Sequence, residues 1–372
     1  MEEDSTSSLF SRRRTSRLDV SWRLASGGED DDASDSLSRR SSGRPSVAEA
    51  EFDVVLRFRG ELARGTPMAP AAVHVLTHLI RCSRAETVLG LELELREASQ
   101  KMLFSTPVNS LALRAACELF LRHVARTSLD VPQFGECKKR LIERGEQFRL
   151  MVDTCRERIG AHGERFIMNG HVVMTHGGSR VVYAILRAAV QRAHKTFRVV
   201  VTEGRSLPES SSGSNHGAVA SMSRKTMQFC RDVLALGVPV TVVPDSAVAA
   251  MMETADCVLL GAEAVVESGA VINQVGSLNM ALAAKALNVK LFVAAETYKF
   301  ARMYPLSQQD LSDGSRPTPY RQLFRDEAAP RGLMFETPAS DIIPPHLVSL
   351  LFTDSGVLTP AAVSEELIKL YQ

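Results

Sequence analysis

After residue 165 this chain alternates between two periods, and that alternation restricts its possible folds more than any other feature. Short apolar runs recur at Val172–Thr175, Phe197–Glu203, Pro239–Asp245, Cys257–Glu263 and Lys290–Glu296. Helical patterns fit between them at 179–194, 223–236, 246–255 and 277–287. Uninterrupted apolar runs suit strands covered on both faces, and intervening helices make such strands parallel, with right-handed crossovers. The expected fold class is α/β: an N-terminal helical domain, then a Rossmann-like open, mostly parallel sheet with helices on both faces. Ligands of such a sheet sit at the carboxyl ends of its strands.

The first of these strand ends is the most informative. In His171-Val-Val-Met-Thr-His176-Gly-Gly-Ser-Arg180 an apolar run meets two glycines, and a helix pattern (Val181, Val182, Ile185, Leu186, Ala189, Val190) starts at once. Such a junction aims free backbone N–H groups and the positive end of a helix at one point, which suits a phosphate. Arg180 would add a charge-assisted bond worth about 1.5–3 kcal/mol. The junction is thus suited to an anion, yet it carries no nucleophile. Glu203, Asp245 and Glu263 stand at three further strand ends, each followed by a turn. Convergence on a ligand crevice and a purely structural origin both fit these positions.

From 49 to 165 the period is helical. Ala116, Leu119, Phe120 and Val124 share one face, and Leu141, Phe148, Val152, Cys155 and Ile159 share another. Pro107 suits the start of the helix that carries the first set. His74 and His78, one helical turn apart, have a spacing that can bind metal; with nothing acidic between them, packing or surface roles fit as well, and no metal site is expected. Residues 1–48, rich in Ser, Arg and Asp, hold too few large apolar side chains to offset the entropy of ordering, so a disordered tail is expected. That tail holds the only tryptophan, Trp22, and two basic-serine stretches, Arg12-Arg-Arg-Thr-Ser16 and Arg39-Arg-Ser-Ser42, which read either as kinase sites or as solvated chain.

The formal net charge of +1 gives no reason to expect nucleic acid or an anionic membrane as partner. No apolar run approaches the ~20 residues that span a bilayer. Glu2, Glu3 and Asp4 argue against a secretory signal and Glu29-Asp-Asp-Asp32 against a transit peptide, which points to the cytosol. Six scattered cysteines (82, 117, 137, 155, 230, 257) without a C-x-x-C pair read as reduced thiols. Two insertions interrupt the pattern: the Ser-rich loop 206–222, a lid or an inert excursion, and the Pro-, Asp- and Ser-rich segment 307–340. The chain closes with a strand at Leu350-Leu-Phe352, a glycine turn, and a helix with Thr359 as N-cap and Pro360 at its first position. Its stripe of Val363, Leu367, Leu370 and Tyr371 is either core or a subunit contact.

Several segments resemble a known family. Gly135-Glu-Cys-Lys-Lys-Arg-Leu-Ile-Glu-Arg-Gly-Glu-Gln-Phe148, Thr175-His-Gly-Gly-Ser-Arg-Val-Val182, Gly261-Ala-Glu-Ala-Val-Val-Glu-Ser-Gly-Ala-Val-Ile-Asn273, Ala295-Glu-Thr-Tyr-Lys-Phe300, Pro305-Leu-Ser-Gln-Gln-Asp310 and the closing Leu351-Phe-Thr-Asp-Ser-Gly-Val-Leu-Thr-Pro360 are similar to the alpha, beta and delta subunits of eukaryotic translation initiation factor 2B, the alpha type above all. The similarity runs from about residue 50 to the end, leaving out the 206–222 loop and much of 307–340. The same superfamily includes the methylthioribose-1-phosphate and ribose-1,5-bisphosphate isomerases.

The isomerase resemblance implies a cysteine shortly after the Thr-His pair and an aspartate in a Gly-Ala-Asp motif. Here these positions hold Gly177 and Glu263. Losing the catalytic nucleophile costs on the order of 10⁶ in turnover in subtilisin, so no catalytic residue is expected. By analogy with the isomerases, the backbone at Gly177 and Gly178, with Ser179, Arg180, Arg205, Asn273 and Lys285, would cradle a sugar phosphate or nucleotide. Asp245 and Glu263 would accept sugar hydroxyl bonds, and His176 and Glu203 complete the candidate set. No cofactor is expected beyond such a stabilising ligand. The resemblance implies a regulatory, non-catalytic subunit, a homodimer joining two beta–gamma–delta–epsilon assemblies of the exchange factor for initiation factor 2. It would sense the phosphorylated alpha subunit of factor 2, with Arg114, Arg122, Lys138, Lys139 and Arg140 as candidates by charge. The alternatives are an active aldose–ketose isomerase on methylthioribose-1-phosphate or ribose-1,5-bisphosphate, and a stand-alone metabolite sensor.

Overall fold

The computed structural model describes residues 53–106, 111–130, 133–204, 223–311, 338 and 340–371. The tail 1–48, Pro107, Arg205 and the 206–222 loop lie outside the described residues. Five helices come first: α1 (Val54–Ala63), α2 (Met68–Cys82), α3 (Val88–Ser105), α4 (Leu111–Asp130) and α5 (Phe134–Gly163). Asp53 caps α1 by accepting from the amides of Val55 and Leu56, and Thr87 caps α3 through Gly90 N. Their apolar stripes meet in one cluster that includes Phe58, Leu76, Ile80, Leu95, Met102, Cys117, Val124 and Leu141. Ala116, Phe120 and Val124 are buried as their spacing predicts, as are Leu141, Val152, Cys155 and Ile159. His74 lies 3.6 Å from Glu61 and His78 contacts Cys82 at 3.4 Å, and no group of metal-ligand side chains gathers around them among the described residues.

The helix–strand alternation then builds the sheet: β1 (Val172–His176), α6 (Arg180–Gln191), β2 (Arg198–Thr202), α7 (Arg224–Ala235), β3 (Val240–Val243), α8 (Val248–Met252) and β4 (Cys257–Gly261), with β7 (Lys290–Ala294), β10 (Leu350–Phe352) and β11 (Val357–Leu358) completing it. The order is β11-β10-β7-β4-β1-β2-β3, parallel except for β11. Period-two alternation sends successive side chains to opposite faces. Val173, Val199, Val201, Leu259 and Phe292 face α6 and α7, whereas Met174, Val200, Leu260 and Val293 face α8 and α9 (Ser277–Ala286). Helix α5 lies along α6, and the described residues from Asp53 onward belong to one compact unit. The final helix α10 (Val363–Tyr371) buries Val363 and Leu367 in the α8/α9 cluster, with Leu370 packed beside them, so these three positions of the stripe are core.

Two expectations change. Strand β3 is not covered on both faces: it is the sheet edge, and Thr241 and Val242 are exposed. A second, four-stranded sheet was not foreseen. It comprises β5 (Ala264–Val266), β6 (Val271–Gln274), β8 (Phe300–Ala301) and β9 (Ser340–Ile343), in the order β8-β5-β6-β9, so the segment 307–340 does not stay outside the fold throughout. Its strands are two to four residues long, too short for any period to register in the sequence.

Candidate functional site

In sequence order the chain lays β1, β2 and β3 to one side and then returns to place β4 on the other side of β1. The reversal point of an open α/β sheet lies there, between the carboxyl ends of β1 and β4, where such folds hold ligands. His176 ends β1 and Gly261 ends β4, with the Ser179 hydroxyl packed against Gly261.

Three helices begin at this point. Helix α6 starts at Arg180, capped by the Ser179 hydroxyl. Helix α7 starts with Arg224 and Lys225, and the Lys225 carbonyl and Phe229 lie so close to Gly178 that any side chain there would collide with them. Helix α9 starts just after Gly276, whose left-handed backbone (φ 104°) sits against the His176 ring; a Cβ on it would stand 2.7 Å from His176 Cε1. None of the three helices has an acidic residue in its first turn. An acid there would offset the positive helix end; here two of the helices instead carry cations.

His176 is buried and fully engaged. Its Nε2 lies 2.9 Å from the Val275 carbonyl, which only accepts, so Nε2 carries the proton and Nδ1 accepts from the Thr202 hydroxyl at 2.6 Å. Burial lowers its pKa, with Asp245, 3.8 Å away, pulling in the opposite direction, and the neutral ring fits both bonds. Asp245 also accepts from Gly204 N at 3.0 Å and so ties the end of β2 to the end of β3. Glu203 N donates to the Val243 carbonyl in the same corner. His176 and Asp245 therefore come together as anticipated, but with their bonds spent on the scaffold.

The remaining candidates divide. Gly177, Gly178, Ser179 and Arg180 line the start of α6. Arg180 has no carboxylate partner among the described residues; its Nη1 donates to the Gly65 carbonyl at 2.7 Å, in the turn between α1 and α2. Burial and the neighbouring Arg156 lower its pKa from the usual arginine value. Glu263 follows β4, accepts from Ser340 Oγ at 3.2 Å and keeps contact with solvent. Protein packed around its carboxyl raises its pKa, partly countered by that bond and by Lys299 and Lys225. Asn273 pairs in register with Asp341 on the second sheet. Lys285 is a correction: it sits exposed in the last turn of α9. The helix runs away from the strand ends, and the eight steps from Ser277 to Lys285 span about 12 Å. Arg122, Lys139 and Arg140 are exposed on the helices, whereas Lys138 is committed to the Ser83 carbonyl at 2.7 Å.

Sequence reasoning missed four contributors. Asp341 on β9 accepts from Gly276 N (2.7 Å) and Leu278 N (2.9 Å), so a carboxylate of the chain itself occupies the positive end of α9. Lys225 enters from α7, and Gly65 from the α1–α2 turn. At the ends of β7 and β10 lies a buried charged cluster. Glu296 there meets Lys299 Nζ at 2.8 Å, Arg156 Nε at 3.5 Å and the Tyr298 hydroxyl at 3.1 Å. Burial works against its charge, but these cations more than offset it and hold the carboxyl down at about 2. Asp354 next to it accepts from Thr297 N and Oγ1, both at 2.8 Å. The Gly-Ala-Glu and Glu-Thr-Tyr-Lys sequences place acids beside turns, but Arg156 on α5 and Asp354 after β10 come from 140 and 58 residues away from Glu296 in the chain.

With this geometry in view, the comparisons are decisive. The sequence profile of the initiation factor 2 subunit family matches residues 63–360. The chain belongs to that family. A curated relative from Dictyostelium discoideum, the translation initiation factor eIF2B subunit alpha, is 38% identical over 331 residues, covering 86% of this chain and 98% of that protein. The Caenorhabditis elegans protein of the same name is 32% identical over 327 residues, with coverage of 86% and 98%. A ribose 1,5-bisphosphate isomerase from Pyrococcus furiosus is 29% identical over 321 residues, covering 85% of this chain and 90% of that one. Among solved structures, the tetrameric eIF2B-beta2-delta2 complex from C. thermophilum aligns with a TM-score of 0.65 at 17% identity, over 86% of this chain and 93% of its own. That likeness concerns the fold. Proteins named as initiation-factor subunits and a protein named as a sugar-phosphate isomerase are thus both similar to this chain over most of its length.

Proposed function

We propose that this chain is a non-catalytic, alpha-type subunit of the guanine-nucleotide exchange factor for initiation factor 2, with an isomerase-derived crevice kept for binding an anionic sugar phosphate or nucleotide. In this reading it forms a homodimer that joins two beta–gamma–delta–epsilon assemblies, and its helices face the phosphorylated alpha subunit of factor 2. Similarity over 86% of this chain to two proteins named eIF2B subunit alpha supports the assignment. One observation carries the loss of catalysis. Gly177 stands where the resemblance to isomerases implies a thiol, and its backbone is left-handed (φ 60°). Space is not the obstacle, since a Cβ there would meet Gln274 Oε1 at 3.5 Å and Thr226 Oγ1 at 3.7 Å. The conformation itself disfavours any L side chain, by roughly 1–2 kcal/mol. Binding survives in this reading because it needs the helix ends and Arg180, not the thiol.

The second reading, an active isomerase, draws on the relative named ribose 1,5-bisphosphate isomerase and on Glu263, whose raised pKa suits a base. One experiment separates them. The tagged full chain is expressed in eukaryotic cells and recovered under native conditions, and the purified chain is assayed alone with ribose 1,5-bisphosphate. Recovery of four larger partners together with exchange activity on factor 2, and no sugar turnover, is the expected result. Enzyme-like conversion of the aldose to the ketose by the isolated chain overturns the proposal.

A further inference from the structure

A guanidinium ties α5 to α4. Arg144 Nη1 of α5 lies 2.8 Å from His123 Nε2 of α4 and donates to the Thr127 hydroxyl, one turn further along α4, at 3.3 Å. Thr127 in turn donates to the His123 carbonyl at 2.8 Å. An arginine keeps its charge and only donates, so His123 presents a lone pair at Nε2 and carries its ring proton on Nδ1. The bond therefore exists only for the neutral ring. A second proton, on Nε2, removes the acceptor and sets an imidazolium against the guanidinium. Burial lowers the His123 pKa, and Arg144 from α5 and Arg126 from α4 itself lower it further. Helices α2 and α3 share a cluster with Cys117, Phe120 and Val124 of α4, where burial pushes the Cys117 thiol up to about 11 and keeps it neutral. The second sheet and Tyr298 meet α4 about two turns from His123, at Ala115 and Ala116. Packing that no proton changes holds α5 to α2: Gly145, next to Arg144, lies so near Thr77 that any side chain there would collide with it.

From this arrangement we infer that His123 and Arg144 form a pH-sensitive latch between α4 and α5, closed by the neutral imidazole and opened when the ring takes a second proton, while α5 stays packed on α2. The inference goes beyond the exchange-factor role and depends neither on it nor on the crevice. Histidine is the side chain whose ordinary charge change falls nearest neutral pH. Folding lowers the pKa of His123 from 6.5, so below that value the unfolded chain binds more protons than the folded one. The contribution of the latch is thus complete above about 6.5 and is lost as pH falls from there through the folded value.

The test reads amide hydrogen exchange in the full chain at about pH 7.5 and about pH 5, on either side of the ordinary histidine range. Each rate is divided by that of the unfolded chain at the same pH, and the lower pH stays above the window in which Glu296 takes its proton. In the wild type, residues 118–127 of α4 are expected to exchange about tenfold faster at the lower pH, the factor one charge-assisted hydrogen bond is worth. Residues 73–80 of α2 are expected to stay unchanged. His123→Gln offers Arg144 an amide oxygen that takes no proton, and its α4 should exchange slowly at both pH values. Arg144→Met keeps the stem without the donors, and its α4 should exchange fast at both. Circular dichroism at neutral pH first checks that each variant is folded. A wild-type α4 whose exchange does not change with pH overturns the latch without either variant. So does a His123→Gln chain that keeps the wild-type response, or an Arg144→Met chain that exchanges as slowly as the wild type at the higher pH. A rise that includes 73–80 is loosening of all the helices and overturns it as well.

Discussion

Gly177 and Gly178 are adjacent, and the structure asks different things of them. Gly178→Ala drives a methyl into the Lys225 carbonyl of α7, which is backbone and cannot swing away, so a loss of about 1–3 kcal/mol is expected. Gly177→Ala meets only ordinary contacts but must hold φ at 60°, for roughly 1–2 kcal/mol. Urea titration that moves the midpoint without changing the slope would register each loss as one of stability; a Gly178→Ala midpoint equal to wild type would contradict the packing. Glu296 yields a pH prediction. Its folded pKa lies near 2, below the 4.5 of the free group, so its contribution is complete above about 4.5 and drains away as pH falls toward 2. Glu296→Gln should flatten the acid side of the stability profile in that window. At neutral pH it should cost about 3–5 kcal/mol, because Lys299 and Arg156 lose their counter-charge in a buried place. At this scale the sequence was legible where one residue type has one meaning in a tight junction, as for His176 to Arg180. It misled at Lys285, because residue type alone does not tell which end of a helix faces the crevice.

Among the elements, α9 depends on a residue far from it in the chain. Asp341 supplies the cap that α9 lacks locally, since Gly276 has no side chain to offer. Asp341→Ala is expected to cost about 1–2 kcal/mol, with faster amide exchange at Gly276 and Leu278 read by mass spectrometry; exchange unchanged there would mean another group caps the helix. Leu367 anchors α10 at 3% exposure, and Leu367→Ala should cost about 2–5 kcal/mol in thermal unfolding. The large sheet was readable because runs such as Val199–Val201 and Cys257–Gly261 are buried on both faces and therefore apolar throughout. The second sheet was hidden for the opposite reason. Ala264–Val266 follows β4 after only Ala262 and Glu263, so two strands of different sheets stand almost end to end in the sequence.

For the molecule as a whole, the clearest consequence of the three helix ends is linkage. An anion that prefers the folded crevice stabilises the chain by RT ln(1 + [L]/Kd), about 2.7 kcal/mol at a hundredfold excess over Kd. The thermal midpoint should rise accordingly with graded sugar phosphate, and the response should flatten in Arg180→Gln; no response to any sugar phosphate would count against the crevice. Family membership was readable from segments that build the core, such as the Thr175–Val182 junction and the closing strand and helix, whereas assembly depends on surfaces whose meaning lies in partners.

The pairing of Gln308 with Ile342 has a practical side. Gln308 uses both ends of its amide on the backbone of Ile342, donating to the carbonyl at 2.8 Å and accepting from the amide at 2.9 Å, much as a neighbouring strand would. Residues on either side of the segment between Leu311 and Ser340 are thereby held together, and each doubling of the span between them adds only about 0.6 kcal/mol of closure entropy. A reporter sequence spliced in beyond Leu311 should thus leave Ser340 and Asp341 in register, which makes this stretch a natural port for labelling the intact subunit.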